Sequence, residues 1–165
     1  MKTITYVKRS LLDHPATEVF DWHCREGAFE RLNPPWQTAE TIEQTGTIKD
    51  NGNITIRTKL GPLSAKWYLN HTDFIQDRQF ADILIKGPFA YWKHIHRVEP
   101  QDKETCILED EIEFSKSSRT SITPFLEIDT KIFLLSISLI VAVIRFFENF
   151  TLPFFLVAIS VCSTI

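Results

Sequence analysis

Two short stretches near the start of the chain carry hydrophobic side chains at helical spacing. In the first, Val19 and Phe20 form an apolar side shortly after Pro15. Proline suits the first turn of a helix, because a backbone N–H at that position has no partner within the helix and proline has none to leave unpaired. The second stretch covers residues 27–32. Two prolines at 34–35 follow it, and proline cannot continue a helix. The pattern therefore predicts two short helices.

The hydrophobic period changes from helical to two at about residue 36. Alternating apolar and polar residues, interrupted by short turns rich in Gly, Pro, Asn and Asp, are typical of antiparallel strands joined by hairpins. A similar alternation near the N-terminus predicts one strand before the helices. The predicted strands cover residues 3–11, 36–44, 52–60, 64–75, 78–87, 90–99 and 104–114.

These elements predict an α+β fold in which a curved antiparallel sheet of about seven strands carries two short helices. Such a sheet has one apolar face, which must be covered because it is not stable in water. The apolar sequence after Pro124 is the part of the chain available for that cover. We therefore expect a long C-terminal helix to lie across the sheet.

The composition is that of one globular domain, and it argues against several function classes. The chain has 165 residues, of which 44% are hydrophobic, enough for a core without disulfides. Its net charge of -3 gives no sign of the basic surface that nucleic-acid-binding proteins usually have, so no nucleic acid partner is predicted. Three widely spaced cysteines without a CxxC pair, and an N-terminus without the apolar core of a secretory signal, favour a cytoplasmic location.

The composition changes abruptly at residue 115. Only four of the 18 basic and three of the 21 acidic residues follow residue 114, and 132–165 is almost continuously apolar. We therefore divide the chain into a domain over 1–114 and an atypical hydrophobic segment over 115–165. Three interpretations of the segment stay open: a poorly amphipathic helix that covers the sheet, a membrane segment with contact through 132–165, and an end produced by a shifted reading frame.

Several local motifs resemble one known superfamily, and they fall in the same order along the chain. They are His14-Pro15-Ala16, Gly27-Ala28-Phe29-Glu30-Arg31-Leu32, Gly87-Pro88-Phe89, Trp92-Lys93-His94-Ile95-His96 and Asp110-Glu111-Ile112. Residues 1–114 thus resemble the SRPBCC or START-like (helix-grip) superfamily of polyketide cyclase/dehydrase-like ligand-binding proteins. The resemblance implies a sheet that grips a helix around an internal cavity. It implies less about activity, because lipid carriers, receptors and cyclases share this scaffold.

Histidine and carboxylate side chains share faces of the predicted strands. A period of two places His94 and His96 on one face of their strand, and Asp82 and Asp110 alternate with apolar residues on other strands. These four are the candidate catalytic residues. A buried group of this kind can transfer protons, orient a polar part of a ligand, or only fix the strands through hydrogen bonds. A metal site would use His-x-His with a carboxylate, but no second ligand pair has metal-like spacing, so no metal is predicted.

Aromatic side chains make up 12% of the chain, more than the packing of a domain of this size needs. Pockets for flat or fatty molecules are lined by such side chains, with a few polar anchors among them. The residues predicted to contact a ligand are Trp22, Phe29, Trp36, Trp67, Phe80, Trp92, His94 and His96.

The preferred function is non-enzymatic binding of a small hydrophobic molecule in an internal cavity. One alternative is a cyclase or dehydratase-like enzyme in which His94, His96 and either Asp82 or Asp110 act as acid and base. The other is a membrane-tethered accessory domain. The sequence has no phosphate-binding glycine loop, dinucleotide fingerprint or nucleophile elbow, so no cofactor is predicted.

Overall fold

The computed structural model describes residues 2–33, 39–49, 51–60 and 63–115. They form seven strands and two short helices, which confirms the predicted order of elements. The elements are β1 (Ile4–Leu12), α1 (Ala16–Cys24), α2 (Ala28–Leu32), β2 (Ala39–Thr45), β3 (Asn53–Leu60), β4 (Leu63–Ile75), β5 (Gln79–Lys86), β6 (Tyr91–Pro100) and β7 (Cys106–Ser115).

All seven strands belong to one antiparallel sheet with the order β1-β7-β6-β5-β4-β3-β2. Strands β2 to β7 form a meander, because each pairs with the next strand along the chain, whereas β1 pairs with β7. The first two strands are therefore the two edges of the sheet. Both helices lie in the connection from β1 to β2, which crosses the sheet from one edge to the other, and α1 contacts β6.

The pairing changes register at several points, which bends the sheet. Strand β2 shifts against β3 after Thr41, and β4 shifts twice against β5, the second time between Thr72 and Ile75. Asp73 lies inside that second shift and has a φ of 53°. An irregularity of this kind increases the local twist of a strand and re-aims its side chains.

Buried side chains form two apolar clusters on the inner face of the sheet, which we define as the face that α1 covers. The helix-side cluster contains Leu12, Ala16, Val19, Phe20, Phe80, Val98, Cys106 and Leu108. The far cluster contains Ile54, Ile56, Trp67, Leu69, Trp92, Ile112 and Phe114. Because hydrophobic burial is the main favourable contribution to folding, these two clusters hold the helices and strands together.

Two predictions concern residues outside the described ranges. Trp36 lies in 34–38, and the predicted C-terminal helix, together with its membrane-segment alternative, lies in 116–165. Within the described ranges, neither helix has the length and apolar character needed to cross a bilayer.

Candidate functional site

A belt of polar side chains separates the two apolar clusters on the inner face. On the inner face of β6, His94 and His96 lie between Trp92 of the far cluster and Val98 of the helix-side cluster. Asp82 in β5 pairs with His94, Asp110 in β7 pairs with His96, and His71 in β4 pairs with Asp82. We call these five residues the polar belt. It brings together the four candidate catalytic residues and adds His71.

Asp110 holds both histidines of β6 through one carboxylate oxygen. Its Oδ1 accepts a hydrogen bond from Nε2 of His94 at 3.2 Å and lies 2.8 Å from Nδ1 of His96. The second contact has an ion-pair distance but poor alignment, and Nδ1 of His96 has no hydrogen-bond partner among the described residues. The two imidazole centroids lie 3.8 Å apart. Asp110 therefore fixes the two rings side by side.

Asp82 is held by His71 from the other side of the belt. Nδ1 of His71 donates to Oδ1 of Asp82 at 2.5 Å. The other oxygen of this carboxylate, Oδ2, lies 3.9 Å from Nε2 of His96. Asp82 thus has one oxygen occupied by a hydrogen bond and one directed toward His96.

His23 of α1 lies over the belt. Its ring centroid is 5.9 Å from that of His96, and its Nδ1 donates to the Val19 carbonyl oxygen at 2.7 Å. Burial, helped by the neighbouring His96, lowers the pKa of His23 to about 4. The imidazole is therefore neutral near pH 7, and its proton lies on Nδ1.

Burial and the neighbouring histidines set the ionisation of the belt. Burial alone would raise the pKa of Asp110, but its contacts with His94 and His96 hold that pKa below the usual range. Burial alone would also raise the pKa of Asp82, but the hydrogen bond from His71 and the charges of His71, His96 and His94 together lower it. Burial, followed by the charge of His94, lowers the pKa of His96. The belt thus combines ionised carboxylates with a neutral imidazole that can accept a proton or a hydrogen bond.

Aromatic rings lie on both sides of the belt, in the far cluster and in the helix-side cluster. In the far cluster, Trp67 and Trp92 meet edge to face with centroids 5.6 Å apart, and Phe29 of α2 packs against the same cluster. In the helix-side cluster, Phe80 lies next to the belt. The structure therefore brings these four predicted ligand contacts to the inner face.

Trp22 has different surroundings from the other predicted contacts. It is half-buried on α1, and the Arg31 guanidinium lies 5.4 Å from the centroid of its ring. This is the distance of a cation–π contact. Trp22 thus forms a contact between α1 and α2.

His71 and His23 are not among the site residues predicted from the sequence. His71 has a signal in the alternation of its strand, because Trp67, Leu69 and His71 are separated by two positions each and are all buried. His23 has a weaker signal, since a histidine on the apolar side of a helix is compatible with simple packing. Only the pairing with Asp82 and the contact with His96 reveal these two residues as neighbours of the site.

Comparisons with known structures identify the fold. The Zhui aromatase/cyclase from Streptomyces sp. R1128 is similar with a TM-score of 0.67 and 13% identity, over 86% of this chain and 93% of that chain. Norcoclaurine synthase from Thalictrum flavum, in complex with dopamine and hydroxybenzaldehyde, has a TM-score of 0.62 and 15% identity, over 91% of each chain. A START superfamily protein from Mycobacterium smegmatis has a TM-score of 0.59 and 11% identity, over 82% of this chain and 92% of that chain. The seven-stranded sheet with two short helices is thus the predicted helix-grip fold.

Sequence comparison identifies the family. None of the curated proteins compared with the chain matches it. The family model described as polyketide cyclase / dehydrase and lipid transport matches residues 12–137, which includes both helices and strands β2 to β7. This match spans more than half of the chain and confirms the resemblance of its motifs. The chain therefore belongs to the polyketide cyclase/dehydrase and lipid transport family.

Proposed function

We propose that this protein binds a small apolar molecule on the inner face of its sheet, with the polar belt as the anchor for a polar group of that molecule. One observation carries the proposal: five buried or nearly buried polar side chains form a continuous group between two clusters of apolar and aromatic residues. Small-molecule sites have this composition, because apolar contacts supply affinity and a few polar groups fix orientation.

The belt is well suited to hydrogen bonding with an uncharged ligand. A neutral imidazole such as that of His96 offers a lone pair to a hydroxyl group, and the protonated nitrogen of the ring can donate to a carbonyl group. The carboxylate of Asp110 holds both rings of β6 in place, so little side-chain freedom is lost when a ligand binds. A ligand with a flat apolar body and one hydroxyl or carbonyl group fits this arrangement.

Two matched probes test the proposal. We expect the full chain to bind 2-naphthol more tightly than naphthalene, because only 2-naphthol carries a hydroxyl group. The double variant His94→Ala, His96→Ala should lose about tenfold in affinity for 2-naphthol, the effect of one hydrogen bond, and keep its affinity for naphthalene. Equilibrium dialysis measures both constants.

The control is His14→Ala, since His14 lies before α1, outside the belt, and pairs with Glu18. It should bind both probes like the unchanged protein. If the folded protein binds neither probe saturably, or if the double variant weakens both probes equally, the belt is not a ligand anchor. Native mass spectrometry of the full chain would then show whether any small molecule accompanies the protein.

A second candidate function is acid–base catalysis of the cyclase type. The specific observation in its favour is the Asp110–His94 hydrogen bond beside the His96 ring, because a base oriented by a carboxylate is a common device for proton transfer. The test is the exchange of the methyl protons of acetophenone in D₂O, followed by NMR. An enzyme should accelerate the exchange above the buffer rate, and His94→Ala should abolish the acceleration while probe binding persists. A pure binding protein should leave the exchange rate unchanged.

A further inference from the structure

We infer that Asp82, His94 and His96 form a binding site for one divalent transition-metal ion of the zinc type. Each of the three residues offers one ligand atom, and these atoms all lie within 4.8 Å of one another. Two imidazole nitrogens and one carboxylate oxygen are a common ligand set for such ions.

One distance within the cluster is close to that of a metal site. Oδ2 of Asp82 and Nε2 of His96 are 3.9 Å apart. Ligand atoms about 2.1 Å from a tetrahedral ion are separated by roughly 3.4 Å, so a shift of about half an ångström would bring these two atoms into place. The two residues are diagonal neighbours on the paired strands β5 and β6, since Asp82 pairs with His94 and His96 pairs with Phe80.

Each proposed ligand has a second polar atom that already contacts an outer partner. Oδ1 of Asp82 accepts from His71, Nε2 of His94 donates to Asp110, and Nδ1 of His96 lies 2.8 Å from the same Asp110 oxygen. We assign the ion to the other polar atom of each residue, which is Oδ2 in Asp82, Nδ1 in His94 and Nε2 in His96. Metal-binding histidines commonly have a carboxylate partner of this kind, which orients the ring and makes it a stronger ligand.

The charges of the belt also favour a cation. Among the described residues, the basic groups within ion-pair distance of Asp82 and Asp110 are histidines alone. Two nearly buried carboxylates need compensating positive charge, because an unpaired buried charge is costly. A divalent ion bound by Asp82, with Asp110 behind its two histidine ligands, would supply it. Three protein ligands would leave one position for water or for an oxygen atom of a bound molecule.

The experiment uses the untagged full chain after treatment with a chelator. Titration with zinc chloride in a calorimeter should show one ion per chain, and Co²⁺ should give the visible absorption bands of a tetrahedral site. Asp82→Asn and His96→Ala should each lower zinc affinity at least a hundredfold. Asp110→Asn, which removes the negative charge of the outer partner, should lower it about 10- to 100-fold. His14→Ala is the control and should bind zinc normally.

The result that overturns the inference is a folded protein that does not bind zinc with one-to-one stoichiometry. Binding whose affinity is unchanged in Asp82→Asn and His96→Ala would equally reject it, because the ion would then sit elsewhere on the surface. Circular dichroism identifies any variant that fails to fold, and the isosteric Asp82→Asn is expected to fold. The inference can fail independently of the proposed apolar ligand, because the naphthol experiment can be repeated on chelator-treated protein, and zinc binding is measured without any organic ligand.

Discussion

The rings of Phe80 and His96 are stacked, with centroids 4.5 Å apart and planes inclined by 22°. The two residues face each other across the β5–β6 pair, so the register of the sheet brings them together. Phe80 belongs to the helix-side cluster, whereas His96 belongs to the polar belt. The apolar core therefore covers one face of a belt imidazole, and packing helps to fix the orientation of this histidine.

Removing the Phe80 ring should destabilise the protein strongly. Phe80 is only 6% exposed, and replacing a buried phenylalanine by alanine typically costs about 3–5 kcal/mol, because contacts are lost and a cavity remains. We expect Phe80→Ala to lose stability in this range, measured by equilibrium unfolding in urea. The matched control is Ile85→Ala on the same strand, since Ile85 is 67% exposed and should change stability by less than about 0.5 kcal/mol. If both substitutions changed the free energy of unfolding equally, the inward packing of Phe80 on β5 would be contradicted.

Gly52 should not tolerate a methyl group. A Cβ at this position would lie 2.6 Å from the Thr45 carbonyl oxygen and 2.7 Å from two backbone atoms of Thr47. These are backbone atoms, so the hairpin between β2 and β3 must shift. Gly52 also accepts a hydrogen bond from the His71 backbone N–H at 2.8 Å.

We therefore expect Gly52→Ala to cost about 1–3 kcal/mol, the usual range for a steric clash in a packed site. Thermal unfolding followed by circular dichroism measures the effect. Lys59→Ala, an exposed position on β3, is the control. A Gly52→Ala protein as stable as this control would show that the close approach of the two backbone segments is absent.

Cys106 should be protected from alkylation in the native protein. Its side chain is fully buried, and burial raises the pKa of its thiol to about 11. The thiolate is the reactive form, so at a pH of roughly 8 only about one thiol in a thousand would be reactive even if iodoacetamide reached it. Peptide mass spectrometry should find Cys106 modified only after denaturation. Any native labelling that does occur should accelerate with rising pH, because the thiolate fraction grows until the pH approaches the pKa. Rapid labelling of Cys106 in the folded protein, as fast as in urea, would contradict its place in the core.

The strands and their faces could be predicted because both depend on local spacing. β5 was predicted over 78–87 and extends over Gln79–Lys86, and the alternation correctly placed Trp92 and His94 on one buried face of β6. Successive side chains of a strand point to opposite faces, so a hydrophobic period of two is enough to identify the buried face. The family resemblance was confirmed by the match over residues 12–137.

The contacts of the polar belt depend instead on register, which no single strand encodes. His71 and Asp82 are partners because β4 and β5 are joined by one particular turn and contain shifts in their pairing, and a slip of one residue would turn one of the two side chains to the other face. His23 meets His96 because the connection that carries α1 crosses the sheet at β6. The sequence by itself thus determined the elements, the inner face and the candidates His94, His96, Asp82 and Asp110. The tertiary structure alone decided which carboxylate holds which histidine, because strand pairing and chain crossing bring together residues that are distant along the chain.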